Sequence, residues 1–295
     1  MIRPSSPLRY PGGKAGLTGF LSDVIALNEL NGCVYYEPYA GGAGAALGLL
    51  KLEVVSELHL NDADRRVVAF WRSALHASER FVDRIRTVPL TIKEWHFQHG
   101  ICTHPASWSQ FDVGFAAFFM NRCNRSGVLN GSGPIGGYEQ AGSWRMDVRF
   151  NRDALAERIL ALARMRSRIH VSCEDAISFL KHSLPRGRGR AKVFVYLDPP
   201  YVNNGQRLYL NAYKADDHAQ LARYMDAQKA LAWIMSYDDS DLVRGLYMGN
   251  KLKLMPIRYT LQEKRSAREL IIAPPRLAVP KTSRVHGKEN LLQTA

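Results

Sequence analysis

Asp198, Pro199, Pro200 and Tyr201 stand directly behind the apolar run Val193–Leu197, and together they suit one kind of chemistry, the gripping of an amine attached to a flat heteroaromatic ring. Such a nitrogen is a poor nucleophile because its lone pair is delocalised into the ring. Two acceptors that draw both N–H protons out of the ring plane return the lone pair to nitrogen. Asp198 offers one, and the Pro199 carbonyl, left free because proline follows it, offers the other. Tyr201 adds a face on which a base taken out of its stack can lie, worth roughly 1–3 kcal/mol. The tetrapeptide by itself also reads as a plain turn, so other residues have to decide.

The elements that must position these residues are legible around them. Five apolar residues ended by a breaker predict a strand buried on both faces, as in a parallel sheet, and the acid then falls at the carboxyl edge where open α/β sheets bind ligands. Tyr35–Gly44 runs from a short strand through Glu37, Pro38, Tyr39 and the glycines Gly41, Gly42 and Gly44 into an Ala/Leu-rich helix. Glycines there permit close approach of backbone to a nucleotide-like cofactor, although Leu47 occupies the position of the fingerprint's last glycine. A second strand ends in Asn61 and Asp62, and Asp62 lies where an acid usually holds a ribose hydroxyl pair. At the amino end, Pro7–Lys14 is no Walker loop, since Leu8 replaces the required glycine and no Ser/Thr follows Lys14. Alone it reads as a basic arm.

In this order the motifs Pro-Gly-Gly-Lys, Glu-Pro-Tyr-Ala-Gly-Gly-Ala-Gly and Asp-Pro-Pro-Tyr resemble the D12 class of DNA adenine N6-methyltransferases, which includes the Dam-type enzymes. The likeness extends over residues 7–273, because Arg265–Ile272 resembles that family's closing strand. It implies transfer of a methyl group from S-adenosylmethionine to N6 of a flipped-out adenine in duplex DNA. The implied fold is α/β: a Rossmann-like methyltransferase domain with a mixed, mostly parallel seven-stranded sheet, plus a smaller, mainly helical recognition insertion. Position by position, Tyr10, Gly12, Gly13 and Lys14 match the cofactor pocket. Glu37, Pro38 and Tyr39, with Gly41 and Gly42, match the loop around the methionine moiety, and Asp62 matches the ribose acid. Asp175 resembles the acid at the cofactor adenine, though an acid opening a helix is equally an N-terminal cap. Asp198 to Tyr201 match the catalytic turn, with Asp198 also bordering the cofactor.

The expected organisation is a catalytic domain in two pieces, 1–69 and 169–275, a recognition insertion over 70–168, and a basic, disordered tail over 276–295. Within the insertion a helix over Phe111–Asn121 gives way to the glycine-rich stretch 121–137, a loop or hairpin that resembles the segment entering DNA. Arg122 and Arg125 are expected at phosphate or guanine, and Asn124, Ser126 and Asn130 at base edges. This stretch departs from the Dam-type pattern, reading Arg125-Ser126-Gly127-Val128, which puts recognition of GATC in doubt.

Forty Lys+Arg against 27 Asp+Glu give a formal charge of +13, which suits a polyanionic partner bound in a salt-dependent way. Five cations and no acid occupy Lys181–Lys192, read as a loop, and six against Glu263 occupy Lys251–Arg268. No run approaches 18 apolar residues and no signal-peptide pattern opens the chain, so a soluble, cytoplasmic protein is expected, on the nucleoid when bound to DNA. The four cysteines and nine histidines show no ligand spacing, and neither a metal nor disulfides are expected. A monomer is expected; a cognate restriction endonuclease is a partner the resemblance allows. Three rivals remain. An RNA or protein-amide methyltransferase commonly carries asparagine for Asp198, and a cytosine N4 enzyme often has serine before the prolines. A non-catalytic DNA-binding homologue is opposed by intact Gly12, Gly13, Asp62 and Asp198.

Overall fold

The computed structural model describes residues 6–9, 13–202, 213–258, 266–285 and 288–294. The chain divides into two compact units, one of Met1–Pro4, Lys14–Ala63 and Glu174–Ala295, the other of Ser5–Gly13 and Asp64–Cys173.

The first unit is α/β. It begins with a 3₁₀ turn at Lys14–Leu17 and α1 (Thr18–Leu27), followed by β1 (Cys33–Glu37), α2 (Gly44–Lys51) and β2 (Val55–Asn61). Its later part holds α8 (Ala176–Ser183), β4 (Val193–Leu197), α9 (Ala215–Asp226), β5 (Ala232–Asp238), α10 (Asp241–Leu246), β6 (Lys251–Arg258) and β7 (Ser266–Ala273). The short strands β8 (Thr282–Val285), β9 (Lys288–Leu291) and β10 (Gln293–Thr294) close it. Within this unit the strand order is β10-β6-β7-β5-β4-β1-β2. The β5-β4-β1-β2 side is parallel and the β10-β6-β7-β5 side antiparallel. β4 is buried at every position, as its five apolar residues predict. Each such side chain adds about 1.5–3 kcal/mol of burial, an upper bound because the unfolded chain is already partly compact. Two glycines of α2 set a close helix approach. A Cβ on Gly44 would lie 3.0 Å from the Ala15 amide nitrogen, and one on Gly48 would lie 2.5 Å from Thr18 Oγ1.

The second unit is mainly helical: α3 (Arg65–His76), α4 (Ser78–Thr87), α5 (Ile92–Thr103), α6 (Gln110–Cys123), α7 (Arg152–Arg164) and the short strand β3 (Ile169–Ser172). Its core is aromatic, with Phe70 stacked on Phe118 and Phe81 edge-on to both Phe70 and Phe118. Gly114 lets α6 lie against α3, because a Cβ there would meet the Ala69 carbonyl. Asp64, Thr91, Ser109 and Asn151 each accept a backbone N–H at the start of α3, α5, α6 and α7.

Three expectations need correction. Residues 276–295, expected to be disordered, carry β8, β9 and β10, and the reason is polar pinning of the backbone. Asn28 bonds both the N–H and the carbonyl of Ala278, Lys251 donates to the Leu277 carbonyl, and Lys253 donates to that of Pro280. Two cations of the 251–268 cluster are thereby used internally. Residues 5–13, expected in the catalytic domain, cluster with the second unit, where the Asn121 carboxamide bonds both the N–H and the carbonyl of Arg9 at 2.7 and 2.6 Å. The Lys181–Lys192 stretch is no plain loop, since α8 includes Lys181 and a 3₁₀ turn spans Gly187–Lys192. Among the described residues no helix is long and apolar enough to cross a membrane.

Candidate functional site

The strand order brings the acids to one edge. From β1 the chain moves to β2 on one side, while β4 lies on the other, so the β1/β4 boundary is a topological switch point, the place at whose carboxyl ends open α/β sheets bind ligands. Glu37 ends β1, Asn61 ends β2 with Asp62 next, and Asp198 follows β4. All three strands are parallel, which places these residues on the same edge.

The loop after β1 is held from β2. Asn61 Nδ2 donates to the Pro38 and Glu174 carbonyls at 3.0 Å each, its Oδ1 accepts from Glu174 N–H at 2.9 Å, and the Ala40 N–H donates to the Asn61 carbonyl. Asp62 Oδ2 accepts the Gly41 N–H at 2.9 Å, in a turn where Gly41 has φ +44° and Ala43 φ +46°. Asp62 thus shapes the glycine loop; Gly42 is buried within it. The Tyr39 hydroxyl meets that of Tyr213 at 2.7 Å. Burial pushes the Glu37 carboxyl up to about 8, with the Asp198 charge adding to the rise against the pull of Lys14. The Tyr35 hydroxyl beside the Glu37 carboxyl counters part of that rise.

Asp198 is the hub of a polar network. Lys14 Nζ lies 3.0 Å from Asp198 Oδ1, 3.0 Å from Glu269 Oε1 and 2.8 Å from the Tyr201 hydroxyl. The Tyr201 hydroxyl donates to Glu269 Oε1 at 2.6 Å. Ser236 Oγ donates to Asp198 Oδ1 at 2.9 Å and meets the Tyr196 hydroxyl at 2.7 Å. Every one of these bonds to Asp198 falls on Oδ1; among the described residues none reaches Oδ2, and none reaches the Pro199 carbonyl. Burial raises the Asp198 carboxyl to about 6, with Lys14 holding it down and the Glu269 charge pushing it up. The turn is anchored behind by the Val202 N–H on Asp238 Oδ1.

Of the expected cofactor residues, Tyr10 and Gly12 lie outside the described residues, and Gly13 is exposed. Lys14, expected in the cofactor pocket, is bonded to Asp198 and Tyr201 of the Asp-Pro-Pro-Tyr turn. Asp175 is exposed and serves as N-cap of α8, with Oδ1 accepting from Ile177 and Ser178 N–H. Sequence reasoning assigns no role to Glu269, Ser236 or Asn61. The one local signal for Glu269 is an acid beside the apolar run Leu270–Ala273, where a strand interior seldom tolerates an unpaired charge.

Within the second unit the stretch after α6 is an ordered loop, closed by an antiparallel bridge between Asn124 and Pro134 and by Ile135 N–H on the Cys123 carbonyl. Arg125 is exposed, Ser126 half-buried at φ +57°, and Asn130 exposed with Oδ1 accepting from Arg66. Asn124, expected to reach base edges, is buried instead: Oδ1 accepts from Trp95 Nε1 at 2.7 Å and Nδ2 donates to the Val128 carbonyl at 2.8 Å. Its hydrogen-bonding groups are spent on closing the loop. Arg122 is buried too, with Nε unpartnered, and burial reinforced by the charges of Arg158, Arg9 and Arg149 lowers its pKa to about 9.

No family model matches this chain, and no curated protein does. Among solved structures, a chain titled "conserved hypothetical protein" from Streptococcus pyogenes is similar at 10% identity and a TM-score of 0.36, over 86% of this chain and 96% of that one. A likeness at that score adds nothing to the fold derived above.

Proposed function

We propose that this chain transfers the methyl group of S-adenosylmethionine to the N6 amine of an adenine flipped out of double-stranded DNA. The observation that carries this reading is a pair of acceptors that no described residue bonds, Asp198 Oδ2 and the Pro199 carbonyl, at the carboxyl edge of the sheet beside the switch point. A primary amine on a ring needs two such acceptors to become nucleophilic.

The sheet edge suits the donor. Its ammonium and sulfonium are cations, and the buried Glu37 carboxyl, protonated in the free protein, would ionise beside them. When bound, the donor supplies an electrophilic methyl group on sulfur. Asp198 Oδ2 and the Pro199 carbonyl accept the two N6 protons and turn the nitrogen lone pair out of the ring. As the C–N bond forms, the methyl–sulfur bond would break with its electron pair staying on sulfur as a neutral thioether, the leaving group; one N6 proton leaves, and Oδ2, already its acceptor, receives it. A carboxyl raised toward 6 is better matched to that proton transfer than an ordinary one. Tyr201 supports the base from the other side of the turn.

A polyanionic substrate fits the second unit. Arg9 Nη1 and Arg122 Nε are buried without partners, and among the described residues no carboxylate pairs with Arg9, Arg122 or Arg149. The surface cations, among them the exposed Arg125 in the loop after α6, suit phosphate. Incubating the protein with labelled S-adenosylmethionine and mixed-sequence duplex DNA, then separating nucleosides, should give N6-methyladenine. N4-methylcytosine would move the assignment to cytosine, and no labelled nucleoside would remove it.

A further inference from the structure

We propose that Glu269, outside the Asp-Pro-Pro-Tyr turn, is the positioning residue of the site: through Lys14 and Tyr201 it commits Oδ1 of Asp198 to the protein and leaves Oδ2 for the substrate amine. This rests on the function proposed above.

The argument is one of donors and acceptors. Lys14 Nζ carries three protons, and three oxygens lie within 3.0 Å: Asp198 Oδ1, Glu269 Oε1 and the Tyr201 hydroxyl. The Tyr201 proton goes to Glu269 at 2.6 Å, the shorter of its two contacts, since Asp198 Oδ1 lies 3.3 Å away. The phenol oxygen can then accept from Lys14. Glu269 therefore fixes the direction of both donors. Ser236 supplies Oδ1 with a further proton from the opposite strand. A carboxylate with one oxygen so occupied cannot rotate without breaking several buried bonds, so Oδ2 keeps one direction. Glu269 reaches this place because β7 pairs antiparallel with β5, setting Glu269 opposite Asp238 and Ile271 opposite Ser236.

Charge gives the arrangement a second consequence. The groups acting on Asp198 or acted on by it are Lys14 from the amino-terminal turn, Glu269 from β7 and Ser236 and Tyr237 from β5. Tyr196 on its own strand, Tyr201 in the turn, and Tyr35 and Glu37 from β1 are the others among the described residues. Lys14 is the cation among them, and Glu269 is an anion that shares it. Removing the Glu269 charge frees Lys14 for Asp198 and eases ionisation of Asp198.

The test separates charge from geometry. In single-turnover methyl transfer, Glu269→Gln should move the acid limb of the pH–rate profile down by about one pH unit. Glu269→Asp keeps the charge and should leave that limb in place, while the shorter reach lowers the transfer rate by about 10²-fold. Donor KM should stay within about twofold for both, since neither touches the donor. A purely structural role would lower melting temperature and active fraction without moving the limb. Carboxyl ¹³C titration of Asp198 in the free protein, assigned with Asp198→Asn, reads the same shift without any turnover. Tyr201→Phe, which deletes only the hydroxyl, covers the case in which Glu269→Gln fails to fold: its transfer rate should fall with donor KM unchanged, and an unchanged rate would overturn the clamp. An Asp198 titration identical in wild type and Glu269→Gln overturns the inference even if the wild type methylates adenine. A wild type that methylates no DNA, with the titration shifted as expected, overturns the proposed function and leaves the clamp standing.

Discussion

Lys14 and Arg122 are both buried cations, 7% and 6% exposed, yet their surroundings are opposite. Lys14, in the first unit, lies against two carboxylates and a phenol. Arg122, in the second, has an unpartnered Nε and three arginines as its electrostatic neighbours. Desolvating a charge is costly unless something compensates it. The first region supplies that compensation from its own chain, as a site that must hold its geometry before substrate arrives does. The second leaves it unmet by any hydrogen bond to Nε among the described residues.

The largest expected effect tests the first region at its centre. Asp198→Ala should lower single-turnover methyl transfer on the order of 10³-fold or more, by analogy with loss of a preorganised polar group. Donor affinity measured by calorimetry should change little; retained turnover would falsify the role given to this carboxylate.

Next comes the contrast itself. Lys14→Met strands two buried carboxylates and should cost about 3–5 kcal/mol in urea unfolding. Arg122→Met removes an uncompensated charge and should leave the stability of the free protein within about 1 kcal/mol, or raise it. Replacing the exposed Arg125 with Met should instead weaken DNA binding and reduce the salt slope of log affinity by about one. Equal destabilisation by Lys14→Met and Arg122→Met would erase the distinction between the regions.

A pH series sharpens the description of the first region. Glu37 titrates near 8 in the fold and near 4.5 unfolded. Between these values the unfolded chain has released a proton the fold retains, so stability falls as pH rises, by up to about 1.4 kcal/mol per pH unit. Below the unfolded value the contribution is complete. Glu37→Gln should flatten this slope in melting curves taken from pH 4.5 to 8; an unaltered slope would mean that Glu37 is ionised in the free protein.

The smallest effect concerns Asp175. As an N-cap, Asp175→Ala should cost about 0.5–2 kcal/mol, while Asp175→Asn should cost almost nothing because asparagine caps equally well. Loss of donor affinity in the asparagine variant with stability intact would restore the cofactor role that the resemblance implies.

Much of the scaffold was legible because its signals are local. The run Val193–Leu197 is a buried strand, the apolar stretch Phe111–Asn121 lies in a helix, and Glu37, Asp62 and Asp198 each stand at a strand's end, where periodicity and breakers put them. Asn124 and the tail misled for the same reason. Polarity and glycine content predict exposure, but Trp95 bonds Asn124 inside, and Asn28, Lys251 and Lys253 pin a backbone that composition alone would leave loose.

The amino-acid sequence by itself determined that a carboxylate, a proline carbonyl and an aromatic ring follow a buried strand, because those are covalent neighbours. Tertiary structure alone decided which oxygen of that carboxylate the described residues bond. Lys14 and Glu269 are 255 residues apart and meet only because α2 admits the amino-terminal turn through its glycines and β7 pairs antiparallel with β5. Hydrogen-bond partnership is a property of position in space, and no spacing along the chain encodes it.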